Sequence, residues 1–237
     1  FERFRYKNYA YDSTGFNFTK LAPLIPKREG WYEFNVIDNL EDTIIQKFIT
    51  DKGLFKKRVI STRISLDNGK SWSGLRIQDP EKKESYSCDI DNDKSCSLNA
   101  HGAFLPQNQR YNFNRTSGIL TEVGSVSINK VFKRGSQQTY ISRDGGMNWS
   151  KIFDFPAAVT FGGIGNIMVA LPDYWTSSEE TSMLYYPLDQ GYTWSELQIE
   201  SGLLPRSLSA LSDDESGSVF SLDAFSTPVK GIFKEWH

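Results

Sequence analysis

The sequence predicts an all-β chain, a segment of a β-propeller whose blades are closed by a repeated aspartate hairpin. Three observations carry that prediction. An eight-residue pattern occurs three times, as Ser65-Leu-Asp-Asn-Gly-Lys-Ser-Trp72, Ser142-Arg-Asp-Gly-Gly-Met-Asn-Trp149 and Pro187-Leu-Asp-Gln-Gly-Tyr-Thr-Trp194, and a string that returns is architecture before it is chemistry. The segments between copies are short runs rich in Val, Ile, Tyr, Phe and Thr, bounded by Gly, Asn, Asp and Ser, which is the composition of strands and turns. The spacing is that of blades: Asp144 to Asp189 is 45 residues, close to one four-stranded unit, and Asp67 to Asp144 is 77, one unit carrying a long insertion.

Within each copy, which we term an Asp box, a strand ends just before the aspartate. The carboxylate folds back to accept backbone N–H bonds, the glycine supplies the positive φ of the reversal, and the next strand starts at the tryptophan. On this reading Ser65, Asp67, Gly69 and Trp72, then Ser142, Asp144, Gly146 and Trp149, then Asp189, Gly191 and Trp194, are structural residues joining the third and fourth strands of a blade. The tryptophan covers its own turn and builds a small satellite core.

The elements then follow in order. Residues 1–25 form the outer hairpin of a blade, from Arg3 to Tyr9 and Gly15 to Leu21, whose Asp signature has decayed. Residues 26–80 form a blade containing Trp31-Tyr-Glu-Phe-Asn-Val-Ile37 and Arg58-Val-Ile-Ser-Thr-Arg-Ile-Ser65. Residues 81–155 form a blade with an insertion around Cys88 and Cys96, followed by Gly118-Ile-Leu-Thr-Glu-Val-Gly124 and Thr139-Tyr-Ile-Ser142. Residues 156–200 form a blade with Asn166-Ile-Met-Val-Ala-Leu171 and Met183-Leu-Tyr-Tyr186, and residues 201–237 start the last. Segments 31–38, 118–126, 157–162 and 207–212 are expected as innermost strands. Asn39 to Phe48 is the one stretch with a helical look, and it sits in a polar connection. The result is a single partial propeller whose remaining ring lies elsewhere, since an open stack leaves sheet edges bare.

Composition narrows the function. The 237 residues are 38% hydrophobic and 14% aromatic, enough for a large core. The 27 basic and 29 acidic residues are scattered, so no stripe exists to track a phosphate backbone and nucleic acid is not a partner. No apolar run reaches the roughly 20 residues of a membrane span. Cys88 and Cys96 sit in a polar loop without further zinc ligands, and a local disulfide is the reading, with free thiols as the alternative. Sequons at Asn17, Asn114 and Asn148 join the cysteines in favouring a lumenal or extracellular compartment. Glycans are expected on Asn17 and Asn114; Asn148 is the poorer acceptor because it lies inside a tight turn with Trp149 at the centre of its sequon.

The order of parts resembles the lumenal domain of the sortilin-type, vacuolar protein-sorting receptors, and of their fungal branch in particular. Cys96-Ser-Leu-Asn-Ala-His-Gly102 after a first Asp box is similar to that family's C-S-L-x-x-H element, and Phe161-Gly-Gly-Ile-Gly-Asn-Ile-Met-Val169 to its F-x-x-x-G-x-I-x-V segment. The likeness covers residues 31–200 well and the ends weakly. It implies the C-terminal blades of a ten-bladed propeller that captures protein or peptide cargo, such as vacuolar hydrolases, on the lumenal side of Golgi and endosome. It further implies a cysteine-rich module and a single membrane span in regions absent from this chain. Pro187 departs from the family, whose box starts with Ser, and puts that hairpin's first hydrogen bond in doubt.

Other constellations read as structure. Asp89-Ile-Asp-Asn-Asp-Lys-Ser95 alternates acids like a calcium loop but lacks the sixth-position glycine, and its twelfth residue is Ala100, not Glu. His101 is the one internal histidine and has no nucleophile elbow to serve. No metal, cofactor or catalytic residue is therefore expected. The rival classes are an Asp-box glycosidase of the sialidase kind, which wants converging arginines and an Arg-Ile-Pro signature that does not occur here, and a passive adhesive propeller. None of the four expected innermost segments holds an arginine; Arg206 stands just before the last, and Glu33 and Glu122 carry the opposite sign. A terminal carboxylate on a peptide ligand, which an arginine fork matches best, is therefore expected to be gripped by earlier blades.

Overall fold

The computed structural model describes residues 9–11, 18–20, 27–28, 31–32, 34–37, 40, 42–50, 59–86, 88–92, 96–100, 112–113, 118–127, 137–162, 167–172, 181–211 and 219–226. Strands dominate them, and the one helical element is a single 3-10 turn at Pro80–Ser85. The chain divides into two compact units, Phe1–Pro156 and Ala157–His237.

The first unit opens with two small hairpins. β1 (Tyr9–Tyr11) pairs antiparallel with β2 (Phe18–Lys20), and β3 (Lys27–Arg28) with β4 (Trp31–Tyr32). The opening hairpin thus exists, but its first strand is Tyr9–Tyr11 where the sequence placed Arg3 to Tyr9; residues 1–8 lie outside the described set. A four-stranded antiparallel meander follows: β5 (Phe34–Val36), β6 (Ile44–Thr50), β7 (Val59–Ser65) and β8 (Ser73–Gly74). The stretch with a helical look becomes a tight turn and then β6. Ile37 N–H donates to Thr43 O at 3.2 Å and Leu40 N–H to Ile37 O at 3.0 Å, which reverses the chain.

The chain leaves this sheet after β8 and, one residue later, enters another as β9 (Arg76–Ile77). That second sheet is built from β10 (Ser97–Ala100), β11 (Asn112–Phe113), β12 (Leu120–Ser127), β13 (Gln138–Ser142) and β14 (Asn148–Phe153), in the order β10-β12-β13-β14-β9 with β11 also on β12. All pairings are antiparallel except β14 with β9, which is parallel. An isolated bridge between Leu75 and Leu98 brings the far end back toward β10, so the sheet curls round its contents. One expectation is corrected here: residues 118–126 are not an innermost strand, because β12 is flanked by β10 and β13. The edge belongs to Ser97–Ala100, which the sequence reading left within the cysteine-bearing insertion. Its four residues are all buried, so no alternation marked it as a strand.

The core of this unit joins both sheets. Ile37, Ile45, Ile64, Leu75, Ile77, Ile90, Cys96, Leu98, Leu120, Tyr140 and Trp149 form one buried cluster. Burial at roughly 25 cal/mol per Å² of apolar surface makes such a cluster the main stabilising term.

The second unit is one five-stranded antiparallel meander: β15 (Ala157–Gly162), β16 (Ile167–Pro172), β17 (Thr181–Tyr186), β18 (Ser195–Ala210) and β19 (Phe220–Ser226). The expected boundary between residues 200 and 201 falls inside β18, which runs unbroken for 16 residues. Its first half pairs with β17 and its second with β19, and the register shifts between Pro205 and Ser207, where proline has no N–H to give the ladder. Thr160 Oγ1 donates to Leu208 O at 2.9 Å and ties β15 to the far half of β18. The chain is all-β, and its successive meanders with Asp-box hairpins are those of a partial β-propeller.

Candidate functional site

The three Asp boxes are the chemically densest features of the chain, and their geometry is the same in principle. Each turn puts both central residues at positive φ: Asn68 at 57° and Gly69 at 85°, Gly145 at 74° and Gly146 at 93°, Gln190 at 59° and Gly191 at 83°. Two successive positive-φ residues make the tight reversal at the tip of a longer loop, which joins Ser65 to Ser73 in the first box and Ser142 to Asn148 in the second.

The second box is the most complete. Ser142 Oγ donates to Asp144 Oδ1 at 2.9 Å and accepts the Gly146 N–H at 2.8 Å. Asp144 accepts the Asn148 backbone N–H on Oδ1 at 2.9 Å and the Asn148 side-chain Nδ2 on Oδ2 at 2.7 Å. Trp149 Nε1 donates to Gly146 O at 2.8 Å, and its ring is 1% exposed in the core. The turn also locks onto the neighbouring sheet of its own unit. The positive φ demands glycine at 146, and a Cβ there would also press on the end of the buried Ile64 side chain, 2.7 Å from its Cδ1.

The first box repeats the pattern with Ser71 in place of Asn148. Gly69 N–H donates to Ser65 Oγ at 2.7 Å, Ser71 N–H and Oγ donate to Asp67 at 2.8 and 2.6 Å, and Trp72 Nε1 donates to Gly69 O at 3.0 Å. The Ser71 hydroxyl, then the Ser71 amide and the Ser65 hydroxyl, hold the Asp67 carboxyl down to about 2. Trp72 is half-buried and meets Phe48 edge-on at 5.0 Å.

In the third box Pro187 supplies no hydroxyl, and the turn rests on Asp189. Its carboxylate accepts the Thr193 N–H at 2.9 Å and the Thr193 Oγ1 at 2.6 Å, and the threonine hydroxyl first, then its amide, keep the carboxyl below the usual range. Trp194 Nε1 donates to Gly191 O at 3.1 Å. This hairpin carries its apolar residues outside, with Leu188 87% and Tyr192 70% exposed.

The insertion between the first and second boxes is tied at both ends. Cys88 and Cys96 form a disulfide. Asp91 pairs with Lys83, whose ammonium it holds above the usual range by hydrogen bond and charge, and Asp91 N–H donates to Asp89 Oδ1 at 3.2 Å. Among the described residues no group of three or more His, Cys, Asp or Glu is placed to hold a metal.

Sequence reasoning missed the anchor of this segment to β14. Asp79, nearly buried, accepts Tyr86 Oη at 2.8 Å and the Lys151 N–H at 3.2 Å on the same oxygen, while Gln78 N–H donates to Trp149 O at 2.9 Å. Burial first and the Asp79 carboxylate second push the Tyr86 phenol far up, so it stays a donor. Lys151 reaches Asp154 at 2.7 Å and lies 5.5 Å over the Tyr86 ring. Also missed was the link from β10 to β7, where Ala100 N–H donates to Thr62 Oγ1 at 2.9 Å and Thr62 N–H to Asn99 Oδ1 at 3.4 Å. Both links join residues remote in sequence, so no local signal announces them.

Of the three sequons only Asn148 is described; Asn17 and Asn114 lie outside the described residues, as does His101. Arg206 falls within β18, and its side chain is likewise outside them. The arrangement therefore brings the Asp-box residues together within each turn.

Comparison with known proteins completes the picture. The family model described as Sortilin, neurotensin receptor 3 (Sortilin-Vps10) matches residues 5–208. A Saccharomyces cerevisiae protein named vacuolar protein sorting/targeting protein PEP1 is 40% identical over 178 residues, 73% of this chain and 11% of that protein. The Zygosaccharomyces rouxii vacuolar protein sorting/targeting protein 10 is 32% identical over 237 residues, covering 91% of this chain and 14% of its own. The chain thus spans about a tenth of the length of these relatives. A solved Niastella koreensis GH74 enzyme matches at 11% identity over 81% of this chain and 38% of its own, with a TM-score of 0.23, too low to carry an argument. Taken with the repeated hairpins and the disulfide-closed insertion, the match over residues 5–208 establishes that the chain belongs to the Sortilin-Vps10 family.

Proposed function

We propose that this chain is a lumenal, cargo-binding part of a sorting receptor that carries soluble hydrolases or peptides from the Golgi to the endosome and vacuole. The observation that carries the reading is the family match across residues 5–208. The disulfide supports a lumenal setting, since such bonds persist in oxidising compartments. In this reading residues 26–80, 81–155 and 156–200 are blades, 201–237 begins another, and the rest of the receptor supplies the remaining ring, a cysteine-rich module and a single membrane span. Asn17 and Asn114 carry glycans.

The Asp boxes are structural in this scheme, because the carboxylates of Asp67, Asp144 and Asp189 are engaged by their own turns. That weighs against the glycosidase alternative, which needs two free carboxylates over a cleft, and no enzymatic activity is assigned. Cargo carboxylates are gripped by arginines of earlier blades, and these blades contribute wall and closure.

The test uses the complete receptor. Cells lacking it are expected to release soluble vacuolar hydrolases into the medium, and the purified lumenal domain to bind their propeptides. Binding is expected to survive Arg206→Ala and to fail with an arginine replaced upstream of residue 1. Normal hydrolase retention with no propeptide binding refutes the sorting role; loss of binding in Arg206→Ala with every upstream replacement silent refutes the anchor assignment. Hydrolysis of a glycoside by the purified domain would move the reading to the enzyme.

A further inference from the structure

We propose that closure of the second hairpin and N-glycosylation of its sequon compete for the segment Asn148-Trp149-Ser150, which a transferase must draw out and the hairpin holds in strand. Asn148 is then a modification site of the unfolded chain alone, and a glycan there marks molecules whose hairpin was still open when the transferase reached it. The proposal rests on the lumenal reading of the chain.

Every part of the sequon Asn148-Trp149-Ser150 is occupied in the folded structure. Asn148 Nδ2, the atom a glycan would take, donates to Asp144 Oδ2 at 2.7 Å. Trp149 is 1% exposed, with its indole N–H on Gly146 O. Ser150 Oγ donates to Gln78 O at 2.9 Å. The backbone is held on both sides: Ser150 lies opposite Ile141 of β13, while Asn148 and Trp149 lie opposite Arg76 and Ile77 of β9. A transferase that must draw the sequon into its own cleft would have to strip two strands from it.

The chemistry needs the nitrogen exposed. In the transfer, Nδ2 attacks the anomeric carbon of an oligosaccharide carried on a lipid pyrophosphate. The N–C bond forms as the C–O bond to the pyrophosphate breaks, the pyrophosphate leaves with that electron pair, and the amide nitrogen gives up one proton. A nitrogen already donating to a carboxylate within the turn, in a strand paired on both sides, is held away from that attack.

Order of synthesis decides which fate wins. The groups that hold the sequon, namely Arg76, Ile77, Gln78, Ile141, Asp144 and Gly146, all precede Asn148 in the chain. Once Phe153 has emerged, hairpin formation takes about 1–10 μs. The chain lengthens at roughly 5–20 residues per second. The hairpin therefore has time to close many times over before the next residue is added.

The experiment expresses the chain behind a secretory leader in a eukaryotic host, with a reference sequon appended after residue 237, and reads site occupancy in the whole-cell pool by mass spectrometry after glycan removal in heavy-oxygen water. Wild type is expected to be bare at Asn148 and occupied at the reference sequon. Ser142→Ala and Asp144→Ala, which loosen the turn and leave the sequon intact, are expected to raise Asn148 occupancy several-fold, and a further Ser150→Ala to abolish it. Wild-type occupancy at Asn148 equal to that of the reference site overturns the proposal. Bare Asn148 in both loosened variants also overturns it, by showing that the sequon itself is refractory. Occupancy of Asn17 and Asn114 in the natural receptor separately tests the compartment.

Discussion

Gly146 is where turn geometry and sheet packing meet, and Gly146→Ala separates the two. A methyl at φ 93° carries backbone strain of about 1–2 kcal/mol. It would also stand 2.7 Å from Ile64 Cδ1 and 3.1 Å from Leu120 Cδ1, well inside the roughly 3.5–4.0 Å of a favourable carbon contact. Overpacking of that kind costs about 1–3 kcal/mol, so the expected loss is roughly 2–5 kcal/mol. Ile64→Val removes the closest atom and alone costs about 0.5–1.5 kcal/mol. On that background Gly146→Ala is expected to be cheaper by about 1 kcal/mol, a coupling measured by urea unfolding of the four chains, followed by tryptophan fluorescence. Additivity within about 0.5 kcal/mol refutes the claim that the hairpin is keyed into the neighbouring sheet. Gly145→Asn is the companion control: Asn68 holds the same turn position at φ 57° in the first box, so the change is expected to be nearly neutral.

Gln190 sits at φ 59° where asparagine or glycine is at ease, and Gln190→Gly is expected to stabilise the second unit by about 0.5–1 kcal/mol in thermal unfolding; destabilisation counts against the left-handed turn. Asp67 has a folded pKa of about 2 against an ordinary 3.8, so its contribution to stability is present above pH 3.8 and fades as pH falls toward 2. Acid unfolding of Asp67→Asn is accordingly expected to show a shallower pH dependence between those values than wild type, and identical slopes refute the assignment. The Cys88–Cys96 bond spans a sequence separation of 8, and on the chain-entropy estimate replacing both cysteines by serine is expected to cost about 2–3 kcal/mol; free thiols at both positions in lumenally produced protein would falsify the bond.

The Asp boxes were legible because turn chemistry is local: a hydroxyl, an acid, a glycine and a tryptophan within eight residues meet one another whatever surrounds them. The paired cysteines were legible for the same reason. β6 was hidden by its own burial. Ile44, Ile45, Gln46 and Lys47 are all buried, so successive side chains on opposite faces show no alternation, and the run mimicked a helix. Ser97–Ala100 was hidden in the same way, and missing it displaced the edge of the second sheet from β10 to β12. β18 misled in the other direction. A unit boundary was expected between residues 200 and 201, yet the strand runs through it and shifts register at Pro205, where it changes partners. The Asp79 anchor and the Thr62–Asn99 link depend on residues far apart in the chain, and no window of sequence contains both halves.

The passage of the chain from β8 to β9 also has a mechanical meaning. Ser73–Gly74 is sewn into one sheet, Leu75 spans the gap, and Arg76–Ile77 is sewn into the next alongside β14, which it meets in parallel. Traction along a strand that runs parallel to its partner loads the cross-strand bonds together in shear, whereas an antiparallel hairpin pulled at its ends opens one bond at a time. Asp79, gripping the Lys151 amide, acts as a peg just past the seam. A pull transmitted along this stretch would therefore meet a clamp at the junction of two sheets, and the neighbouring meanders would share the strain.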